Sequence, residues 1–261
     1  MTGRYDRALE LLEEVAVPPD RDETERLLDR LSRDPVAAAA RLFACDTISA
    51  ALSRLGDLLW VGGSIIGPDR ANGSSPLGFG KDAVVGLASV TQIGGELSRG
   101  AVDLLKVGNL YAASAIVRQL VEVEYLAYAF ASEPEIAAEW LRADRATRLA
   151  FWSPSAVRRR ADGAFPAADY WGHCDLGGHP TTDGRRLLPD HTAVNVTYLW
   201  VDLTGHLVGL WTSARTAAEH EYGAVVGDWE LPDVRSAIAS WHETDGLREV
   251  LGDLKRRLQT E

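Results

Sequence analysis

Lysine is almost missing from this chain: Lys81, Lys106 and Lys255 are the only three in 261 residues, and arginine supplies nearly all the positive charge. With 38 acidic against 27 basic residues the formal net charge is −11. That balance excludes a diffuse electrostatic grip on nucleic acid, so any such contact has to be local. Cysteine is scarce too. Cys45 and Cys174 are too few for a disulfide framework and match no zinc spacing, which leaves two free thiols as the expectation. The first residues have no apolar stretch of signal-peptide type, and no run reads as approaching the ~20 apolar residues of a membrane span. A cytoplasmic protein with no membrane attachment is expected. Alternating apolar and polar residues bounded by turns are also missing. The nearest rival, residues 194 to 203, continues at helical spacing through Leu207, Leu210 and Trp211 and reads as helix. No repeat period is found.

What is present is helix. Residues 4 to 16 set Leu11, Leu12 and Val15 opposite Asp6, Glu10, Glu13 and Glu14, and Pro18-Pro19 ends that stretch. A second helix starts at Asp20 and aligns Leu27, Leu28 and Leu31, and a third spans about 36 to 60. Residues 62 to 80, rich in glycine, serine and proline, read as a loop. Helices are then expected over 83–107, 110–131, 134–152, 154–160 and 192–220, with irregular chain over 162–191 and a helical tail from Pro232. The fold class is all-α: an up-and-down helical bundle with additional N-terminal and C-terminal helices. The segments are N-terminal helices over 1–61, a Gly-rich loop over 62–82, the bundle over 83–222 and the tail over 223–261.

Charge inside apolar sequence marks the candidate site. Arg118, Glu122 and Glu124 lie among Ile116, Val117, Leu120, Val121 and Leu126, and a buried charge requires a partner. Arg118 and Glu122 are four apart, on one helix face. Asp202 and His206 repeat that spacing, and there an acid fixes an imidazole tautomer for a base or for a structural histidine. Between Tyr170 and Pro180, His173 and His179 bracket Gly177-Gly178. With Asp175 these two histidines offer metal donors, but no set of three or four ligands stands at a recognisable spacing, so neither a metal nor any other cofactor is expected. Arg142, Arg145, Arg148, Arg158, Arg159 and Arg160, interleaved with Trp140, Phe151 and Trp152, form the one local basic surface. Arginine beside aromatics suits phosphates and stacked bases, and it equally describes a solvated helix face. The Gly78-Phe-Gly80-Lys81 stretch is no Walker loop, because Asp82 follows the lysine where serine or threonine is needed.

The helix with Arg118-x-x-x-Glu122, followed by Tyr170 and then His179-Pro180, resembles a HEPN-like bacterial family of unknown function. The resemblance covers about residues 83 to 220. It implies an up-and-down helical bundle, a homodimer, and membership of a class in which many proteins are RNases of toxin–antitoxin or phage-defence systems. The implied partners are RNA or a nucleotide and an antitoxin-like protein. It singles out Arg118, Glu122, Tyr170 and His179, to which His173 is added as a neighbour. The implied chemistry is metal-independent attack by a ribose 2′-hydroxyl, with His179 as base and Arg118 stabilising the phosphate. Arg186 with His191 is the second pair, one of two matches to the Arg-x(4–6)-His pattern of nuclease members. Arg215 and His220 form the other, and two matches are what chance allows in so arginine-rich a chain. The competing expectation is a non-catalytic helical module that dimerises or holds a partner, with Arg118 and Glu122 as a buried structural pair.

Overall fold

A computed structural model describes residues 21–66, 81–161, 163–189, 193–229 and 231–248. The expected helix over 4–16, most of the Gly-rich stretch, His191 and the end of the tail lie outside these residues. The helices are α1 Arg21–Ser32, α2 Pro35–Val61, α3 Asp82–Lys106, α4 Leu110–Ser132, α5 Ile136–Arg142, α6 Arg145–Phe151, α7 Pro154–Arg160, α8 Ala167–His173, α9 Ala193–Tyr222 and α10 Val234–Thr244. No strand occurs among the described residues, and the all-α bundle expected from the sequence is what forms.

Local chemistry sets the boundaries. Asp34 accepts from the amides of Val36 (2.8 Å) and Ala37 (3.4 Å), and Pro35, which has no amide hydrogen to satisfy, opens α2. Gly108 reverses the chain between α3 and α4 at φ 75°, after which Asn109 caps α4 through the amide of Ala112. The single helix expected over 134–152 is two. Asp144 adopts extended backbone after α5, and its carboxylate accepts from Thr147 N at 2.8 Å to start α6. The stretch from 62 also begins as helix, since a π-helical turn over Gly62–Ile66 prolongs α2.

The frame is α2, α3, α4 and α9 packed side by side, with α10 laid against α2. Ile48, Leu52, Leu55, Leu59, Leu87, Leu120, Phe130, Leu203 and Leu207 are sealed within it. The glycines that weaken α3 as an isolated helix are where its neighbours come close. A Cβ on Gly94 would stand 2.6 Å from Leu210 Cδ2, and one on Gly95 would stand 2.7 Å from Ser53 Oγ. Against the expectation of no membrane-length apolar run, Pro35–Ser64 meets that criterion by length and composition, and half of it is buried inside the bundle. At its start the buried Arg41 is held by both carboxylate oxygens of Asp245, at 2.6 and 2.9 Å.

The largest departure from the expected layout falls on 162–191. Instead of irregular chain, it holds α8, a π-helical turn over Cys174–Gly178 and a 3-10 turn over Asp183–Leu187. Gly177 and Gly178 let the π turn lie directly on α4. A Cβ on Gly177 would meet Ala115 N and Ser114 Cβ at 2.7 Å, and one on Gly178 would overlap Arg118 Cδ. Pro180 follows and ends the helical run.

Candidate functional site

The three charges of α4 separate into two sites. Arg118 and Glu122, four apart, face α8. Glu124 comes six residues after Arg118, about 240° further round the helix, and is turned toward α9. On the α8 side, Arg118 Nη2 lies 2.7 Å from Glu122 Oε1 and donates to Tyr170 Oη at 2.8 Å. Tyr170 Oη donates to Glu122 Oε1 at 3.1 Å, closing a three-membered ring of polar contacts. The guanidinium also sits 5.5 Å from the Tyr170 ring centre. Burial works against the charge of Arg118, but Cys174, Glu122 and Tyr170 outweigh it and raise its pKa. Burial and the Glu122 carboxylate push the Tyr170 phenol up to about 12, with Arg118 opposing them. The ring is therefore an ion pair capped by a neutral hydroxyl at neutral pH. It is half-buried.

The structure joins Arg118, Glu122 and Tyr170 and sends the two histidines of the same segment elsewhere. His179 is exposed at the end of the π turn, and its carbonyl accepts from Tyr111 Oη at 3.4 Å. Among the described contacts none links its imidazole to Arg118. His173 is buried and meets α9 instead. Arg186 lies in the 3-10 turn, where its carbonyl accepts from Asn195 Nδ2 at 3.0 Å. His191 lies outside the described residues. At the other Arg-x(4–6)-His match, Arg215 donates to Glu219 at 2.8 Å and His220 is exposed.

His173 joins a second cluster, against α9. Its Nε2 stands 3.0 Å from Nε2 of His206, with Asp202 Oδ1 3.6 Å from His206 Nε2 and Asp169 Oδ2 3.8 Å from both Nε2 atoms. One donor atom from each of Asp169, His173, Asp202 and His206 falls within 4.8 Å of the other three. Behind this group, Glu124 Oε2 lies 2.6 Å from His206 Nδ1, and Asp202 Oδ2 lies 3.6 Å from His173 Nδ1. Gly209 gives Glu124 its room, since a Cβ there would overlap Glu124 Oε1. Two imidazole nitrogens at 3.0 Å share one proton, with one ring donating and the other accepting. Burial depresses the charge of His206, yet Glu124 and Asp202 prevail and lift its pKa to about 10. The cluster draws positive charge because three carboxylates surround two imidazoles.

Sequence reading placed Asp202 beside His206 and marked Glu124 as a charge in need of a partner, but missed Asp169. The expectation of no metal rests on the lack of a recognisable ligand spacing around His173, Asp175 and His179. The structure corrects that premise. Asp175 and His179 are exposed, while Asp169 stands one turn before His173 and α9 brings the other two groups. A signal was present in the chain: Asp169-Tyr-Trp-Gly-His173 and Asp202-Leu-Thr-Gly-His206 are the same Asp-x-x-Gly-His pattern on two helices.

The arginine surface is built from α5, α6 and α7. Arg142 pairs with Asp82, Arg148 Nη1 donates to the Ala143 carbonyl at 2.6 Å, and Arg160 lies 4.9 Å over the Trp152 ring. Helix α6 buries none of its residues, and Leu149 and Phe151 are 66% and 54% exposed beside Arg145 and Arg148. A cavity of about 470 Å³ between α2 and α3, lined by Asp46, Ser53, Arg54, Asp57, Arg99 and Asp103, shares no residue with any of these sites. In comparisons with known proteins, no family model, no curated protein and no solved structure matches this chain.

Proposed function

We propose that this chain is a HEPN-like helical protein that binds single-stranded RNA on the α5–α7 surface, and that the ring of Arg118, Glu122 and Tyr170 positions α8 instead of cutting the RNA. The observation that carries the reading is α6, a helix with no buried residue that presents Arg145 and Arg148 together with Leu149 and Phe151. A helix so placed gains nothing from the core, and arginines beside exposed apolar and aromatic groups suit phosphates and base faces. Residues 142 to 160 contain six arginines against one acid, Asp144, in a chain of net charge −11. Positive charge is therefore concentrated locally in this stretch. Against cleavage at Arg118 stands its prior engagement: the guanidinium already holds a carboxylate and a hydroxyl, and among the described contacts no imidazole joins it.

The test is fluorescence anisotropy with a labelled single-stranded RNA over a salt series. Binding through about four phosphates gives a slope of log K against log salt near −3, from about −0.7 per phosphate. Replacing Arg145, Arg148 and Arg159 together by alanine flattens that slope and abolishes binding at moderate salt. Binding unchanged in the triple variant refutes the proposal. Cleavage of the same RNA by the wild-type protein, lost in His179→Ala, would replace it with the ribonuclease reading.

A further inference from the structure

We infer that Asp169, His173, Asp202 and His206 form a binding site for one divalent transition-metal ion of the Zn²⁺ or Mn²⁺ kind, oriented from behind by Glu124. The site shares no residue with the arginine surface, so the RNA-binding proposal and this one stand or fall separately.

Geometry carries the inference. Four donor atoms arranged tetrahedrally around one small cation, each about 2.0 to 2.2 Å from it, lie about 3.3 to 3.6 Å apart. The Nε2 atoms of His173 and His206 are 3.0 Å apart, Asp202 Oδ1 stands 3.6 Å from His206 Nε2, and Asp169 Oδ2 stands 3.8 Å from both Nε2 atoms. All four donor atoms already lie within 4.8 Å of one another, and rotation about the carboxylate side-chain torsions brings the two aspartates the rest of the way. The pattern is local on each helix and repeated. On α8 and again on α9 an aspartate precedes a histidine by four residues, so each helix offers two donors from one face. Packing α8 across α9 turns two bidentate faces into one four-donor shell.

The surroundings have the features that metal-bound histidines need. A ligating imidazole gives its second ring nitrogen to a carboxylate or carbonyl, which fixes the tautomer and strengthens the donor. His206 does so to Glu124 at 2.6 Å. Two imidazoles disfavour Ca²⁺ and Mg²⁺, which take oxygen ligands, and favour the first-row transition ions. The three carboxylates supply the charge a divalent ion compensates. The side chains of His173, His206 and Asp202 are 4 to 8% exposed, while that of Asp169 is 19% exposed and marks the side from which an ion enters.

The experiment measures uptake of Co²⁺ and Zn²⁺ by the full chain after chelator stripping, using equilibrium dialysis with elemental analysis. Uptake is also measured after refolding with the ion present, so that slow entry into a closed site does not hide binding. One ion per chain is expected, with a visible Co²⁺ spectrum typical of nitrogen and oxygen ligands. Asp169→Asn and His173→Gln remove or severely weaken uptake, and Glu124→Gln weakens it about 10- to 100-fold. His242→Gln, at an exposed position on α10, leaves uptake unchanged. No uptake by either route overturns the assignment, and so does wild-type affinity in Asp169→Asn. Asp169 is the most accessible of the four groups, which makes its variant decisive should His173→Gln fail to fold.

Discussion

Truncating Arg41 gives the sharpest test of how this bundle is held together. Arg41 lies near the start of α2, and Asp245 follows α10, 204 residues later in the chain. Their side chains are 2% and 0% exposed. Both carboxylate oxygens are engaged: Oδ2 accepts from Arg41 Nε at 2.6 Å and from Trp241 Nε1 at 2.8 Å, and Oδ1 accepts from Arg41 Nη2 at 2.9 Å. Arg41→Ala leaves a carboxylate with no counter-charge in a sealed place, a change that costs about 3 to 5 kcal/mol. For a chain of this size about 2 to 4 °C of Tm accompanies each kcal/mol, so the midpoint falls by roughly 6 to 20 °C. Urea unfolding followed by circular dichroism measures the loss directly. The double variant Arg41→Met with Asp245→Leu restores apolar packing and loses less than the sum of the single variants, because neither charge is then stranded. A loss under about 1 kcal/mol for Arg41→Ala, or strict additivity in the cycle, refutes the argument that this pair secures α10 to α2.

Gly177→Ala forces a Cβ into the backbone of α4 at Ala115 and lowers stability by about 1 to 3 kcal/mol, measured by thermal unfolding. Tyr170→Phe removes the hydroxyl linking Arg118 to Glu122, and because that ring is half-buried the urea midpoint reports a loss of about 1 kcal/mol or less. Burial pushes the Cys45 thiol up to about 12, with the Asp46 charge adding to it and Thr204, Lys106 and Arg41 opposing it, so Cys45 fails to react with a thiol reagent at pH 8 until the chain unfolds. The sign of that shift means the neutral thiol favours the fold fully below its unfolded pKa of about 8.5, and this contribution disappears as pH rises toward about 12. Cys45→Ala therefore flattens the alkaline limb of a stability–pH profile. Gly209→Ala displaces Glu124 from His206 and lowers Co²⁺ affinity while leaving RNA binding intact, which dialysis and anisotropy read separately.

Much of the helical layout is legible along the chain because its cause is local. The 3.6-residue period of apolar side chains predicts α3, α4 and α9, and Asn109 and the Ser153-Pro154 pair sit where helices start. Departures occur where local signals are weak. The glycines of 174–178 read as a break, yet they allow a π turn to rest on α4, and the aspartate at 144 divides one expected helix into two.

By itself the sequence determined an all-α protein, the i, i+4 pairing of Arg118 with Glu122 and of Asp202 with His206, and a cluster of six arginines over residues 142–160. Those properties depend on neighbours within a turn or two, where helix geometry fixes which side chains share a face. Only the tertiary structure decided what each face meets. Glu124 reaches His206 across 82 residues of chain and His173 reaches His206 across 33, and it is helix packing that makes one cluster of them. An i, i+4 spacing states that two donors point the same way. It carries no information about which other helix stands opposite, and that is why the four-donor shell and the Arg41–Asp245 pair emerge only when α8 and α10 are set in place.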